Sequence, residues 1–409
     1  MELNAPTRPP PTRLIHSIPP RPHSSAIMPD DAFSRTQHIL RTYVNDTRAF
    51  LPSAVRLEQS APSPLAFARG HLRARSPFVC ANATPEWRAH VEWRTKTSFI
   101  ARCLSRGIER IDVNVAPFGR GDAAVLCADG VASLGAVGDE ARQIARVRDL
   151  DRGFAFVEPE RRNVRVEQFV HSLSDGKEEG KGKMDVSLEA AYASTQNDNA
   201  RREFAAMVGD IGEVSFAREG FGCDADAVNI WIGDETSSTT WHRDFYENVY
   251  TVVTGMKIFW LRPPCDYAFM RYEKCVRGKF EWEESTKTWA IRAAPHESAV
   301  EWSVVDVDSE GVPSISGGDD SMTYATVAGE PAPPAFRVEV RAGETLYLPA
   351  MWYHRVQQRG FTIAVNHWYD MAFDDRFTSA NFVNAIYDEF KGRDNDDGGD
   401  DAGSDRRSK

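Results

Sequence analysis

From about residue 186 to residue 370 the chain is a succession of short β-branched and aromatic runs punctuated by Gly and Pro. ADAVNIWIG, ENVYTVV, MKIFWLRPP, KTWAIRAA, FRVEVRAGETLYLPA, MWYHRVQQ and FTIAVNHWYD are the clearest. Such a pattern predicts many short strands and a mainly β barrel or sandwich. Residues 64–170 mix further strands (PFVCANA, IDVNVAPF, GFAFVEP) with helices expected at 85–106 and 165–174. Residues 31–60 read as helical, because Phe33, Ile39, Leu40 and Tyr43 recur near helical spacing. At the far end, Val383, Ile386, Tyr387 and Phe390 follow i, i+3, i+4, i+7 and predict an amphipathic helix over 373–391. The expected organisation is a mixed region over 30–185, a barrel over 186–372 and that closing helix.

Flanking and inserted segments lack such periodicity. Residues 1–29 form a Pro-rich leader, with Met28 as a second usable start; a transit peptide is the weaker reading of its arginines. Residues 392–409 read as a solvated acidic tail, and 174–185 and 309–335 as surface insertions.

Composition narrows the class. The chain has 409 residues, 42% of them hydrophobic, and a formal charge of −11. That size supports a substantial core, and that charge argues against nucleic-acid binding through bulk electrostatics. The six cysteines are scattered without a C-x-x-C pair, which predicts reduced thiols in an intracellular, cytoplasmic protein, with nuclear access left open. No apolar run reaches the length of a membrane-spanning helix, so no membrane partner is expected.

The chemistry concentrates in TTWHRDFYENVYTVVTGMKIFW, residues 239–260. In continuous extension His242, Asp244, Asn248, Tyr250 and Val252 share a face. Thr254-Gly255 reads as a two-residue hairpin turn that pairs Val252 with Lys257 and brings the lysine to that same face. A salt bridge would satisfy Asp244 and Lys257 but leave His242 and Asn248 unexplained. A metal explains more: His-x-Asp supplies two ligands, and a second His from another strand completes a 2-His-1-carboxylate set. His296, His354 and His367 are the candidates that follow. His354 lies in an apolar strand, His296 beside a proline, and His367 close behind. H-x-D alone is common in turns; the weight comes from the set.

The runs TTWHRDFYENVYTVVTGMKIFWLRPP, VRAGETLYLPAMWYHRVQQ and TIAVNHWYD resemble the JmjC (cupin-type) Fe(II)/2-oxoglutarate oxygenases, and within them the small JmjC-only hydroxylases. The likeness is dense over 225–270 and 337–375. It is patchier over 64–225 and absent from the tails and insertions. It implies a double-stranded β-helix, the jelly-roll or cupin core, with flanking α/β elements. It also implies that His242, Asp244 and His354 ligate Fe(II), with O2 and 2-oxoglutarate as co-reactants. By the same likeness Lys257 grips the distal carboxylate of 2-oxoglutarate, and Thr239, Asn248, Asn366 and Tyr192 contact that cosubstrate. Ser194 stands where the family usually carries Gln, and His367 where it carries Phe.

The resemblance further implies lysyl hydroxylation of a protein substrate, a GTPase of the developmentally regulated GTP-binding type. The alternatives are an Nε-methyl-lysine demethylase, a histone-tail peptidase and a non-catalytic cupin scaffold. Retention of Lys257 beside a full triad argues against the scaffold, and no nucleophile or protease zinc motif supports the peptidase. Asp234, Glu235 and Glu247 are the nearby acids that could receive a lysyl ammonium. The closing helix could form a homodimer interface or pack on its own barrel.

Overall fold

The structure, a computed structural model, describes residues 32–134, 142–175, 190–307, 313–315, 323–324, 326–327 and 330–394. The leader, the tail beyond residue 394, most of 174–185 and much of 309–335 lie outside the described residues.

The elements that build the site are α1 (Ala32–Ala49), β1 (Arg56–Glu58), β2 (Phe78–Ala81), β3 (Arg120–Gly121), β4 (Ala227–Gly233), β5 (Ser238–His242), β6 (Tyr246–Arg262), β7 (Phe336–Arg341), β8 (Glu344–Leu348), β9 (Tyr353–Asp370) and α2 (Asp375–Asp394). The two long strands β6 and β9 run antiparallel, from Tyr246 opposite Asp370 to Arg262 opposite Tyr353. Their register slips between Val252 and Met256, and there both strands pass from one sheet to another. The first sheet has the order β1-β2-β8-β6-β9-β4, using the early half of β6 and the late half of β9. The second has the order β3-β5-β9-β6-β7, using the other halves. This is a double-stranded β-helix, mainly β as the sequence predicts, and its inner faces enclose a core that includes Tyr250, Val252, Phe259, Leu346 and Ala364.

At Thr254-Gly255 the structure departs from the expected hairpin. Val252 pairs with Ala364 and Lys257 with Gln358, so the two residues do not face each other. The position is a corner between sheets instead. Gly255 has φ +75°, and a Cβ there would lie 2.3 Å from Thr362 Oγ1 and 2.5 Å from the Phe361 carbonyl. Glycine is needed because the neighbouring strand turns its own corner against it, with Gly360 at φ +61°. Nor is extension continuous from His242 to Val252: β5 ends at His242, and residues 243–245 form a bend before β6 begins.

Helix boundaries also shift. α1 stops at Ala49 because Leu51 precedes Pro52 and is disfavoured in the helical region. The helix expected over 85–106 splits into Ala89–Glu92 and Lys96–Ser105, because Thr95 and Ser98 form a capping box that starts a new helix. The helix expected over 165–174 is Val166–Ser172. Through Val383 and Tyr387, α2 packs on a cluster containing Leu40, Val44 and Tyr267, on the outer side of its own barrel. The Tyr267 hydroxyl donates to Asp388 at 2.7 Å.

Two smaller sheets buttress one mouth of the barrel. A seven-stranded sheet includes Ala123–Ala128, Arg152–Glu158 and Val300–Ser303. A three-stranded sheet pairs Tyr192 with Asn114.

Candidate functional site

His242 ends β5 and His354 is the second residue of β9, and the two are register partners across adjacent strands. Asp244 follows in the bend. The bend matters: because the chain leaves β5, the carboxylate turns back toward both imidazoles. Ligand atoms of the three residues all lie within 4.8 Å of one another, and their rings centre 4.1 Å apart for the two histidines. His354 Nε2 lies 3.6 Å from Asp244 Oδ2, too far for a hydrogen bond but suited to a shared third atom.

Both imidazoles are oriented alike by the backbone. His242 Nδ1 donates to the Thr240 carbonyl at 2.7 Å, and His354 Nδ1 to the Trp352 carbonyl at 3.1 Å. With Nδ1 carrying the proton, each Nε2 presents its lone pair, the tautomer a metal ligand requires. Burial, reinforced by the neighbouring His242 and opposed by Asp244, pushes His354 down to about 4, so it stands neutral at ordinary pH. Two imidazoles and one carboxylate fit the donor set of a non-haem Fe(II) facial triad.

The other candidate histidines go elsewhere. His296 is exposed on a turn. His367 is buried on the opposite face of β9, with Nε2 3.1 Å from the Gly212 carbonyl and its ring 5.7 Å from Trp87.

The triad opens into a cavity of about 510 Å³ lined by Tyr192, Thr239, Asn248, Tyr250, Phe259 and Asn366, among others. Its polar wall is already ordered. Trp231 Nε1 donates to Asn366 Oδ1 at 2.8 Å, and Asn366 Nδ2 donates to Asn248 Oδ1 at 3.1 Å. Thr239 Oγ1 accepts from the Val356 amide at 3.0 Å, which ties β5 to β9 beside the triad. Ser194 also lines the cavity, accepting from Asn114 Nδ2 at 2.9 Å.

Lys257 sits just behind this lining, 1% exposed. Its Nζ donates to the Tyr192 hydroxyl at 3.0 Å and to Gln358 Oε1. Neither partner carries charge, and no carboxylate pairs with Lys257 among the described residues. Burial alone pushes its pKa down to about 7. A buried ammonium without a counter-ion is costly, and an anion delivered into the cavity would relieve it.

The acids suggested as receivers of a substrate ammonium are spoken for. Asp234 accepts from the Ser174 and Thr236 amides, Glu235 from the Gly360 amide, and Glu247 from the Tyr347 hydroxyl and the Ala350 amide. None of them lines the cavity. The acids that do, besides Asp244, are Asp122 and Glu158, with Trp302 beside them. Sequence reasoning missed all three. Glu158 and Trp302 belong to the seven-stranded buttress and Asp122 immediately precedes one of its strands, up to some 180 positions apart, and no local spacing could have joined them to His242.

Comparison with known proteins now bears on this geometry. The model of the cupin-like domain family matches residues 64–375, which carry every strand of the two sheets except the edge strand β1, and all three residues of the triad. The chain belongs to the cupin-like JmjC family. Among curated relatives, the lysine-specific demethylase JMJ32 of Arabidopsis thaliana is 31% identical over 332 residues, covering 80% of this chain and 85% of its own. The bifunctional peptidase and (3S)-lysyl hydroxylase JMJD7 of Homo sapiens is 30% identical over 339 residues, covering 82% and 90%. The JmjC domain-containing protein E of Dictyostelium discoideum is 27% identical over 344 residues. JmjC proteins are typically Fe(II)- and 2-oxoglutarate-dependent oxygenases, and a hydroxylase of this cupin-like JmjC type is consistent with the His-Asp-His group.

Proposed function

We propose that the protein is an Fe(II)- and 2-oxoglutarate-dependent protein hydroxylase that acts on lysine. The observation that carries this reading is one cavity holding a 2-His-1-carboxylate group and, just behind its lining, a buried lysine with no counter-ion among the described residues.

His242, Asp244 and His354 would hold the iron, and Lys257 would pair with a carboxylate of 2-oxoglutarate. Iron, cosubstrate and O2 together supply the oxidation of an unactivated C–H bond. This chain's own residues bind, orient and shield. The two backbone carbonyls at Thr240 and Trp352 hold the imidazole tautomers, and the Trp231–Asn366–Asn248 chain fixes amide groups toward the cosubstrate's place. Tyr250 and Phe259 exclude water on the inner side. Lysine as target is supported by the names of two relatives, one a lysyl hydroxylase and the other a lysine-specific demethylase. A GTPase is the protein substrate to try first.

The second reading, an Nε-methyl-lysine demethylase, is favoured by the Arabidopsis relative. One experiment separates them. Full-length protein is incubated with Fe(II), 2-oxoglutarate and paired peptides bearing lysine or methyl-lysine, then read by mass spectrometry, with His242→Ala as control. Gain of one oxygen on unmodified lysine is expected. Loss of a methyl group from the other peptide, with no oxygen gained on the first, would replace hydroxylation by demethylation.

A further inference from the structure

We propose that Asp122 and Trp302 form the subsite for the substrate's cationic side chain, the carboxylate taking the terminal cation and the indole the alkyl stem. This deepens the lysyl reading and rests on it for the identity of the target residue.

Asp122 is not a free loop acid. Arg120 and Gly121 pair in parallel with Ser238 and Thr239 of β5, and the Asp122 carbonyl accepts from Thr240 Oγ1 at 2.8 Å. One residue later the chain enters the seven-stranded sheet at Ala123. Pinned on both sides, Asp122 takes φ +53°, a left-handed conformation uncommon outside Gly, Asn and Asp. Asp122 thereby lines the cavity, close enough to His242 for the two to interact electrostatically.

The groups around it leave it wanting a cation. Burial dominates its surroundings and pushes its pKa up to about 6, with His242 acting to lower it and Glu158 to raise it. No arginine or lysine forms an ion pair with Asp122 among the described residues. Arg161, an arginine of the lining, is held by Asp112 at 2.5 Å. Glu158, the other acid, lies 3.9 Å from Arg277 and its side chain is 53% exposed, so it is screened. The site thus holds groups of opposite sign, a lysine just behind the lining at Lys257 and an acid in the lining at Asp122, neither ion-paired among the described residues, with the triad as the third feature.

Trp302 supplies the apolar surface. Its ring lies parallel to His242, 7° between planes and 6.1 Å between centres, and Phe156 backs it at 4.6 Å. Its Nε1 donates to Thr240 Oγ1 at 3.3 Å, which fixes the ring against the strand carrying the first ligand. A long alkyl stem laid on that ring with its cation at Asp122 runs past the triad, which presents stem carbons to it.

The test measures peptide binding by calorimetry to the full chain loaded with Fe(II) and 2-oxoglutarate under nitrogen, so that turnover does not intervene. The peptides carry lysine or norleucine at one position, which differ by the ammonium alone. Wild type should prefer lysine by roughly ten- to hundred-fold, the scale of a charge-assisted hydrogen bond in a shielded site. Asp122→Asn should erase the preference, Asp122→Glu should keep part of it, and Glu158→Gln should keep nearly all. Competition by n-butylammonium but not n-butanol against the lysine peptide on wild type makes the same point without any variant. Equal binding of lysine and norleucine peptides by wild type, or a preference that survives in Asp122→Asn, overturns the subsite. If the preference depends on Asp122 but aerobic turnover oxidises a residue other than lysine, the subsite stands and the lysyl reading falls. Lysine hydroxylation with an unchanged preference in Asp122→Asn does the reverse.

Discussion

At the scale of single residues, the sharpest consequence concerns Lys257. Its folded pKa is depressed to about 7 against an ordinary 10.5, so between those values the unfolded chain binds the more protons. Stability from this residue is therefore least below pH 7, and rises as pH climbs from about 7 toward 10.5. A carboxylate arriving beside it favours the charged form and raises its pKa. Binding of 2-oxoglutarate at pH 8 should then take up protons, visible by calorimetry in buffers of different ionisation enthalpy. Lys257→Met should abolish that uptake and weaken cosubstrate binding roughly ten- to hundred-fold, without lowering the melting temperature of the ligand-free protein. Proton-independent binding would rule out the lysine as the anion's partner. His354→Ala belongs to the same scale: it removes one of three donors and should cost most of the Fe(II) affinity in a chelator competition assay, with the fold's circular dichroism retained.

At the scale of elements, the long strands β6 and β9 carry the site because they bend together. The Gly255 corner switches which residues face inward: Asn248 and Tyr250 line the cavity before it, Phe259 after it, and Lys257 lies just behind. An alternation count alone would have put Lys257 on the wrong side; the hairpin expectation recovered the right face for the wrong reason. Gly255→Ala combines a disfavoured φ with a clash against Thr362 and the Phe361 backbone. It should destabilise by about 3 kcal/mol or more in urea titration, given the usual cost of strained backbone plus a steric conflict. Gly343 has φ +85° at the neighbouring β7–β8 corner, but a Cβ there would meet nothing within 4 Å. Gly343→Ala should therefore cost only about 1 kcal/mol. Equal costs at the two corners would refute the packing account of the first.

At the scale of the whole molecule, burial decides reactivity. Cys80, Cys103, Cys127, Cys265 and Cys275 are buried and only Cys223 is exposed. Burial pushes the Cys80, Cys103 and Cys275 thiols up to about 12 and Cys127 to about 11, far from the thiolate form. A maleimide should label one thiol rapidly in the native protein and all six in urea. Rapid labelling of a second would point to local opening. The sequence alone determined the fold class, because period-two runs with Gly and Pro breaks can bury themselves only as packed sheets, and the H-x-D motif with Lys257 is local enough to be recognised as a string. It left three histidines open for the last ligand from pattern, and likeness to known oxygenases singled out His354. Tertiary structure alone decided which histidine meets His242, because that depends on pairing between strands more than 100 positions apart. It also decided that Asp234, Glu235 and Glu247 serve the backbone while Asp122 faces the cavity. A carboxylate's role is set by the donors around it, and those donors come from distant parts of the chain.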